Sequence, residues 1–300
     1  EIRNCDWSSD VCSSDLMIVE MPGELLPEFT PARRTQLVEW MQGWQATIMP
    51  IGVMPAYGDA NWEASTDWLT AFEIAATLCK DVDAKAASSF RATAARIFRY
   101  GQSLGHGIED SSLCEASQIV DESIPALQTT FRSTAVLQQD PTGTLRPGKI
   151  VLRGESEKPG DQPFVLFNTF WNNSHNHAAI GTLTAYASHG SVFQHESGYD
   201  GGDAYFHHLL LVRPADEPFL PFAKVFKEPR ETVVEKGNKG LPFIANRFVS
   251  AQVNDAKRFA HARIVSTQRA PLHSGKFDFR ITRDAVLEKS SRSEEHTSEL

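Results

Sequence analysis

The chain has 300 residues, 41% of them hydrophobic and 22% charged, a balance ordinary for a folded globular protein. That composition excludes a collagen-like, low-complexity or broadly disordered chain. No stretch reaches the roughly 18 uncharged apolar residues that a membrane-crossing helix requires, and the net charge of −9 argues against a general nucleic-acid binder.

The two ends stand apart from the rest. Residues 1–16, EIRNCDWSSDVCSSDL, and residues 292–300, RSEEHTSEL, both resemble translated sequencing adapter, and both are set aside before fold is considered. They carry seven acids and two bases, so residues 17–291 have a net charge of −4. Cys79 and Cys114 are the cysteines left, too few for a disulfide framework and not spaced as a zinc motif. Met17 then reads as an internal methionine of a longer protein.

Residues 17–139 have a helical pattern. Thr30 caps a helix that begins at Pro31 and carries Leu37, Val38, Trp40 and Met41 at helical spacing. A Pro- and Gly-rich loop from Met49 to Asp59 separates it from an apolar helix over Asp67 to Cys79, and an Ala/Arg-rich helix follows over Lys85 to Tyr100. Glu115 to Leu137 is expected as one more helix, broken or kinked at Pro125. The punctuation then changes. Asp140-Pro-Thr-Gly143 and Pro147-Gly148 are turns. Short β-rich runs follow at Lys149–Leu152, Phe164–Phe170, Gly181–Ala187, Ser191–His195, His207–Val212, Glu231–Val234, Arg247–Val253, Arg258–Val265 and Lys276–Ile281. Their spacing over residues 140–291 is that of an antiparallel β-sandwich.

Six of the ten histidines fall between His175 and His208. On a strand, His175 and His177 would share a face, because side chains alternate with period two. A neighbouring strand can bring Glu196 opposite them, and a third can bring His208. Two imidazoles and a carboxylate suit a divalent metal, with zinc the first choice. The competing reading is a polar rim of unligated histidines. An iron oxygenase on a β-barrel uses similar ligands, but Glu196 follows His177 by 19 residues rather than a few, which counts against it. His189 sits in a Ser-His-Gly turn, and His195 alternates away from Glu196, so neither joins the metal set.

The run from Asn172 to Val212 resembles the β-sandwich core of heparinase II/III-type polysaccharide lyases. The residues that carry the resemblance are His175-Asn-His177-Ala-Ala179-Ile-Gly181, the apolar strand Thr182 to Ala187, Glu196-Ser-Gly-Tyr199, and His208-Leu-Leu-Leu-Val212. Ala179 stands where that family has Asp, and Glu196 where Asp is usual. The resemblance implies an α+β multidomain fold, with N-terminal helices that close an (α/α) toroid followed by an antiparallel β-sandwich. It also implies that the family's Asn-His pair and Tyr lie before Met17, which would make this piece a C-terminal fragment.

The implied activity is β-elimination on a uronate-containing acidic polysaccharide. By the same resemblance, His175 faces the substrate and His177, Glu196 and His208 hold a structural zinc, with His207 an alternative to His208; Tyr199 completes the candidate catalytic set, and Asn172 and Tyr205 are candidates for contact with sugar. For each tyrosine the alternative is a half-buried aromatic with its hydroxyl at the surface. Asn172 serves a turn equally well. A basic run, Lys224, Lys227, Arg230, Lys236 and Lys239, could help bind an acidic glycan or be a solvated loop. The expected partner is the polysaccharide, with no nucleic acid and no membrane insertion, in a periplasmic or secreted setting. A non-catalytic glycan-binding relative is the alternative that the Ala179 substitution fits, and a metal-dependent oxygenase is the third class.

Overall fold

The computed structural model describes residues 30–55, 67–105, 119–127, 130–139, 144–169, 181–195, 224–226, 243–272 and 275–289. Three α-helices come first: α1 (Pro31–Thr47), α2 (Asp67–Cys79) and α3 (Ala84–Ser103). The Thr30 hydroxyl accepts from the Arg33 amide at 3.3 Å, and Pro31 opens the first turn, where its missing N–H costs nothing. Asp83 caps α3 in the same way, its carboxylate accepting from the Ala86 amide at 2.8 Å.

The helices share one core. Trp44 packs on Trp68, and Trp68, Phe72 and Phe90 continue as a chain of tilted rings. Ala86, Ala87 and Ala94 on α3 let that helix come close, so Phe72, Phe90 and Ile97 are fully buried. A buried polar clamp fixes the register of α1 against α3: the Gln45 amide lies 2.9 Å from the Ser89 carbonyl and 2.7 Å from the Thr93 hydroxyl.

Among the described residues nine strands form two sheets. The first holds β1 (Thr134–Gln139), β2 (Leu145–Arg153), β3 (Phe164–Asn168), β4 (Thr182–Ser188) and β5 (Ser191–His195), antiparallel and in that order. The second holds β6 (Lys224–Phe226), β7 (Phe243–Asp255), β8 (Phe259–Leu272) and β9 (Gly275–Glu288). Its strands are antiparallel except for the short β6, which runs parallel to β7. The β4–β5 hairpin turns on His189 and Gly190, both with positive φ (51° and 72°), the signature of a two-residue type I′ turn.

Strand periodicity sorts β2 into two faces. Ile150 and Leu152 point to the second sheet and pack with Phe167, Ala260, Ala262 and Ile264. Val151 points the other way and packs with Phe164, Leu166, Ala185, Ala187 and two residues of the loop after α1, Met49 and Val53. That loop is closed by the Met49 amide donating to the Val53 carbonyl at 2.8 Å. Gly52 within it has φ +100°, and a Cβ there would lie 2.6 Å from the Arg96 carbonyl oxygen, so the turn requires glycine. The result is three layers: helices, first sheet, second sheet.

Two expectations are corrected. An (α/α) toroid is not what the helices build: among the described residues there are three, packed around one another and seated on the first sheet. A toroid needs hairpins of helices repeating around an axis. Here the end of α1 and the residues after it are committed to the sheet instead, through the Ala46 and Ile48 carbonyls and through Met49 and Val53. The α+β toroid-plus-sandwich description therefore gives way to a mostly β molecule with a helical cover. The helix expected over Glu115 to Leu137 also does not run to its expected end: Ile119 is helical, but Thr134–Gln139 is strand β1, paired with β2 from Thr134↔Val151 to Gln139↔Leu145.

Candidate functional site

The helix-facing side of β2 carries two buried cations four residues apart. Arg153, 1% exposed, is wedged between the Phe131 and Phe164 rings, its guanidinium 5.0 and 4.7 Å from their centroids. It donates to the Ala46 carbonyl at 2.9 Å and the Ile48 carbonyl at 2.5 Å, and to the Gln162 side-chain oxygen at 3.1 Å. The two carbonyls are orphan acceptors at the end of α1, where the helix dipole favours a cation. Arg153 therefore fastens the helical layer to one end of the first sheet.

Lys149 occupies the other end. Its ammonium donates to the Asn168 carboxamide oxygen at 2.6 Å, and Asn168 is its cross-strand partner. Asn168 pairs in turn with Thr182, whose hydroxyl lies 3.4 Å from that of Thr184. All four residues are buried. A buried ammonium persists only with hydrogen-bond partners, and this polar row across three strands provides one. Neither Lys149 nor Asn168 was singled out from the sequence as functional. The available signal was a lysine and an asparagine at in-facing positions of otherwise apolar strands.

The polar row marks the place where the histidine-rich chain leaves the sheet. β3 ends at Asn168, and Thr169 is pinned by its amide to the Gly148 carbonyl (2.9 Å) and by its hydroxyl to the Pro147 carbonyl (2.6 Å). The chain returns at Gly181, whose amide donates to the Asn168 carbonyl at 2.7 Å. Hence the connection that contains Asn172, His175 and His177 begins and ends at one point. β5 runs antiparallel to β4, from Ser191 beside Ser188 to His195 beside Ala185, so it too heads toward the Thr182 end. The residue after it is Glu196.

The seven candidates named from the sequence, Asn172, His175, His177, Glu196, Tyr199, Tyr205 and His208, lie outside the described residues. Among the described residues no group of three or more His, Cys, Asp or Glu side chains is placed to hold a metal ion. No helix among them is long and apolar enough to cross a membrane.

Further titratable groups lie in the helical layer and on the second sheet. In the helical layer Glu73 is 3.1 Å from the Arg91 guanidinium. Burial pushes its carboxyl up to about 7, against the opposing pull of Arg91. Arg91 also donates to the Asp121 carbonyl, and Asp121 pairs with Lys80 at 2.7 Å. Burial pushes the Cys79 thiol up to about 11, which makes it a core side chain rather than a nucleophile. On the outer face of the second sheet, Asp284 bridges Arg263 (2.7 Å) and His261 (2.8 Å), and those hydrogen bonds hold its carboxyl below the usual range.

A scan of the chain against protein-family models finds no match, and comparisons with curated proteins and with solved structures find none either.

Proposed function

We propose that the chain acts on a uronate-containing acidic polysaccharide and cleaves it by β-elimination, at the end of the first sheet where the histidine-rich connection leaves. The observation that carries this reading is the convergence of chain ends at the buried Lys149–Asn168–Thr182 row. The chain leaves the sheet after Thr169 and returns at Gly181 there, and β5, which ends one residue before Glu196, runs toward it. The reading rests on the β portion and its motif, and does not call on a toroid.

The chemistry asks for three things. The C5 proton beside the substrate carboxylate is weakly acidic, so the carboxylate charge must be neutralised and the developing enolate met by placed donors. A base must then take that proton, and an acid must protonate the C4-linked oxygen as its bond to C4 breaks and the C4–C5 double bond forms. His175 is assigned to one of the first two tasks, neutralising the carboxylate or taking the C5 proton, and Tyr199 to the leaving oxygen. Asn172 and Tyr205 would hold sugar hydroxyls. His177, Glu196 and His208 are a donor set that suits zinc. Bound there, the ion would lock the cleft wall as a structural link. A polymer of this kind lies outside the cell, which supports a periplasmic or secreted setting.

The test is incubation of the full chain with alginate and with heparan sulfate, followed by ultraviolet absorbance of the unsaturated uronate product. Absorbance that rises with the parent chain and is lost in His175→Ala is the expected result. Retention of either polymer without any product would replace cleavage by glycan binding, the reading that Ala179 favours. Neither binding nor product would overturn both.

A further inference from the structure

The edge strand β5 carries a largely exposed aromatic. Phe193 is 62% exposed, the second most exposed large hydrophobic side chain among the described residues. It stacks on Tyr186 of β4, with ring centroids 5.3 Å apart and planes 28° apart. The register of β4 against β5 slips at this point: Tyr186 pairs with Gln194 and Ala187 with Val192, leaving Phe193 as the extra residue of a β-bulge. A bulge re-aims a side chain and is common at sheet edges and beside functional sites. Phe193 and Gln194 together face Tyr186 across the two strands, and the Phe193 ring lies against Tyr186 with its other side open.

We propose that Phe193, backed by Tyr186, is a stacking subsite for one pyranose ring of the acidic polysaccharide. This rests on the proposed function and names a subsite of the same binding region. Three observations support it. The ring is held rigid by its partner and costs little entropy to present. The other exposed side chains of the strand, Ser191 and His195, are polar, so Phe193 is the one exposed large apolar side chain of β5. A sugar ring matches that size, whereas a stable protein interface needs roughly 1,000 Å² or more. Phe193 also lies three residues before Glu196, on the strand that runs toward the polar row. A bound chain that reaches the histidine-rich end could extend across it.

Affinity electrophoresis of the full chain tests this, in gels containing alginate or heparan sulfate, with neutral dextran as control. The exposed position lets Phe193→Ala fold, and an unchanged thermal midpoint checks that it does. The expected result is about tenfold weaker binding of the acidic polymer, equivalent to about 1.4 kcal/mol, and near-parental binding by Phe193→Trp. Equal retardation of the parent chain and Phe193→Ala would overturn the subsite while leaving the proposed function intact. A parent chain that is neither retarded nor able to form unsaturated product would overturn both. A change of oligomeric state in Phe193→Ala, measured by sedimentation, would show that the ring meets a second copy instead, and would also overturn the subsite.

Discussion

The two ends of β2 hold buried cations on the same face, and they are built for different purposes. At one end Arg153 is sandwiched between Phe131 and Phe164 and spends its donors on the carbonyls at the end of α1. At the other, Lys149 reaches one residue across to Asn168, beside Thr182. A planar guanidinium with several fixed donors suits the joining of two layers, while a compact ammonium suits a local polar row. The difference teaches where rigidity is placed: the helical cover is fastened at the opposite end of β2 from the point where the histidine-rich connection leaves the sheet.

The largest effect is expected at the fastened end. Arg153→Met should cost about 4 kcal/mol, since it strands two buried carbonyls and removes the filling between two rings. Urea unfolding would measure this, and a loss below about 1 kcal/mol would break the comparison by showing that Arg153 does not join the layers.

Glu73 sharpens the contrast within the helical layer. Its folded-state value, about 7, lies above the ordinary 4.5, so the folded chain holds the proton more tightly than the unfolded chain. The stability it contributes is complete below about pH 4.5 and is lost as pH rises through 7, a fall on the order of 3 kcal/mol. Glu73→Gln should flatten that slope in thermal midpoints taken across the same range. An identical slope in the variant would place the titration elsewhere.

Lys149→Met is the matching change at the other end of β2. It should cost about 1–2 kcal/mol, less than Arg153→Met, because one hydrogen bond to Asn168 is lost and an apolar side chain fits among strand residues. Acidic-polymer retardation should fall more than stability does if that end positions the site. The smallest effect belongs to the hairpin turn. His189→Asn keeps the positive φ at a residue type that tolerates it, and should raise stability by a few tenths of a kcal/mol or leave it unchanged. Chemical denaturation at one pH would resolve the sign.

Much of the local structure is legible in the sequence. Asp67–Cys79 is a helix with the expected bounds, because its apolar residues alternate with none of the turn formers. The runs at Ser191–His195 and Gly181–Ala187 show up as strands through their β-branched and aromatic content and the Gly190 between them. The segment Thr134–Gln139 misleads, since Ala, Leu and Gln are good helix formers and pairing with β2 overrides them. Strand β8 runs past Val265 to Leu272 through Ser, Thr, Gln and Arg, where no apolar alternation advertises it. Its continuous pairing with β9 supplies what the pattern does not.

The toroid is the larger lesson. Three helices with short connections suit a ring of hairpins or a cover on a sheet equally well, and the decision rests on long-range contacts such as Arg153 to Ala46. The candidate site divides in the same way. The clustering of histidines is visible in one dimension. The Lys149–Asn168 row and the stacked Phe193 depend on cross-strand register, which composition does not display.

The most direct test of the histidine-rich end as a metal-bearing glycan site is elemental analysis of the purified full chain, alongside His177→Ala, Glu196→Ala and His189→Ala. One zinc per chain, lost in the first two variants and kept in the third, is the predicted result. No bound metal, iron in place of zinc, or equal retention by all three variants would contradict it.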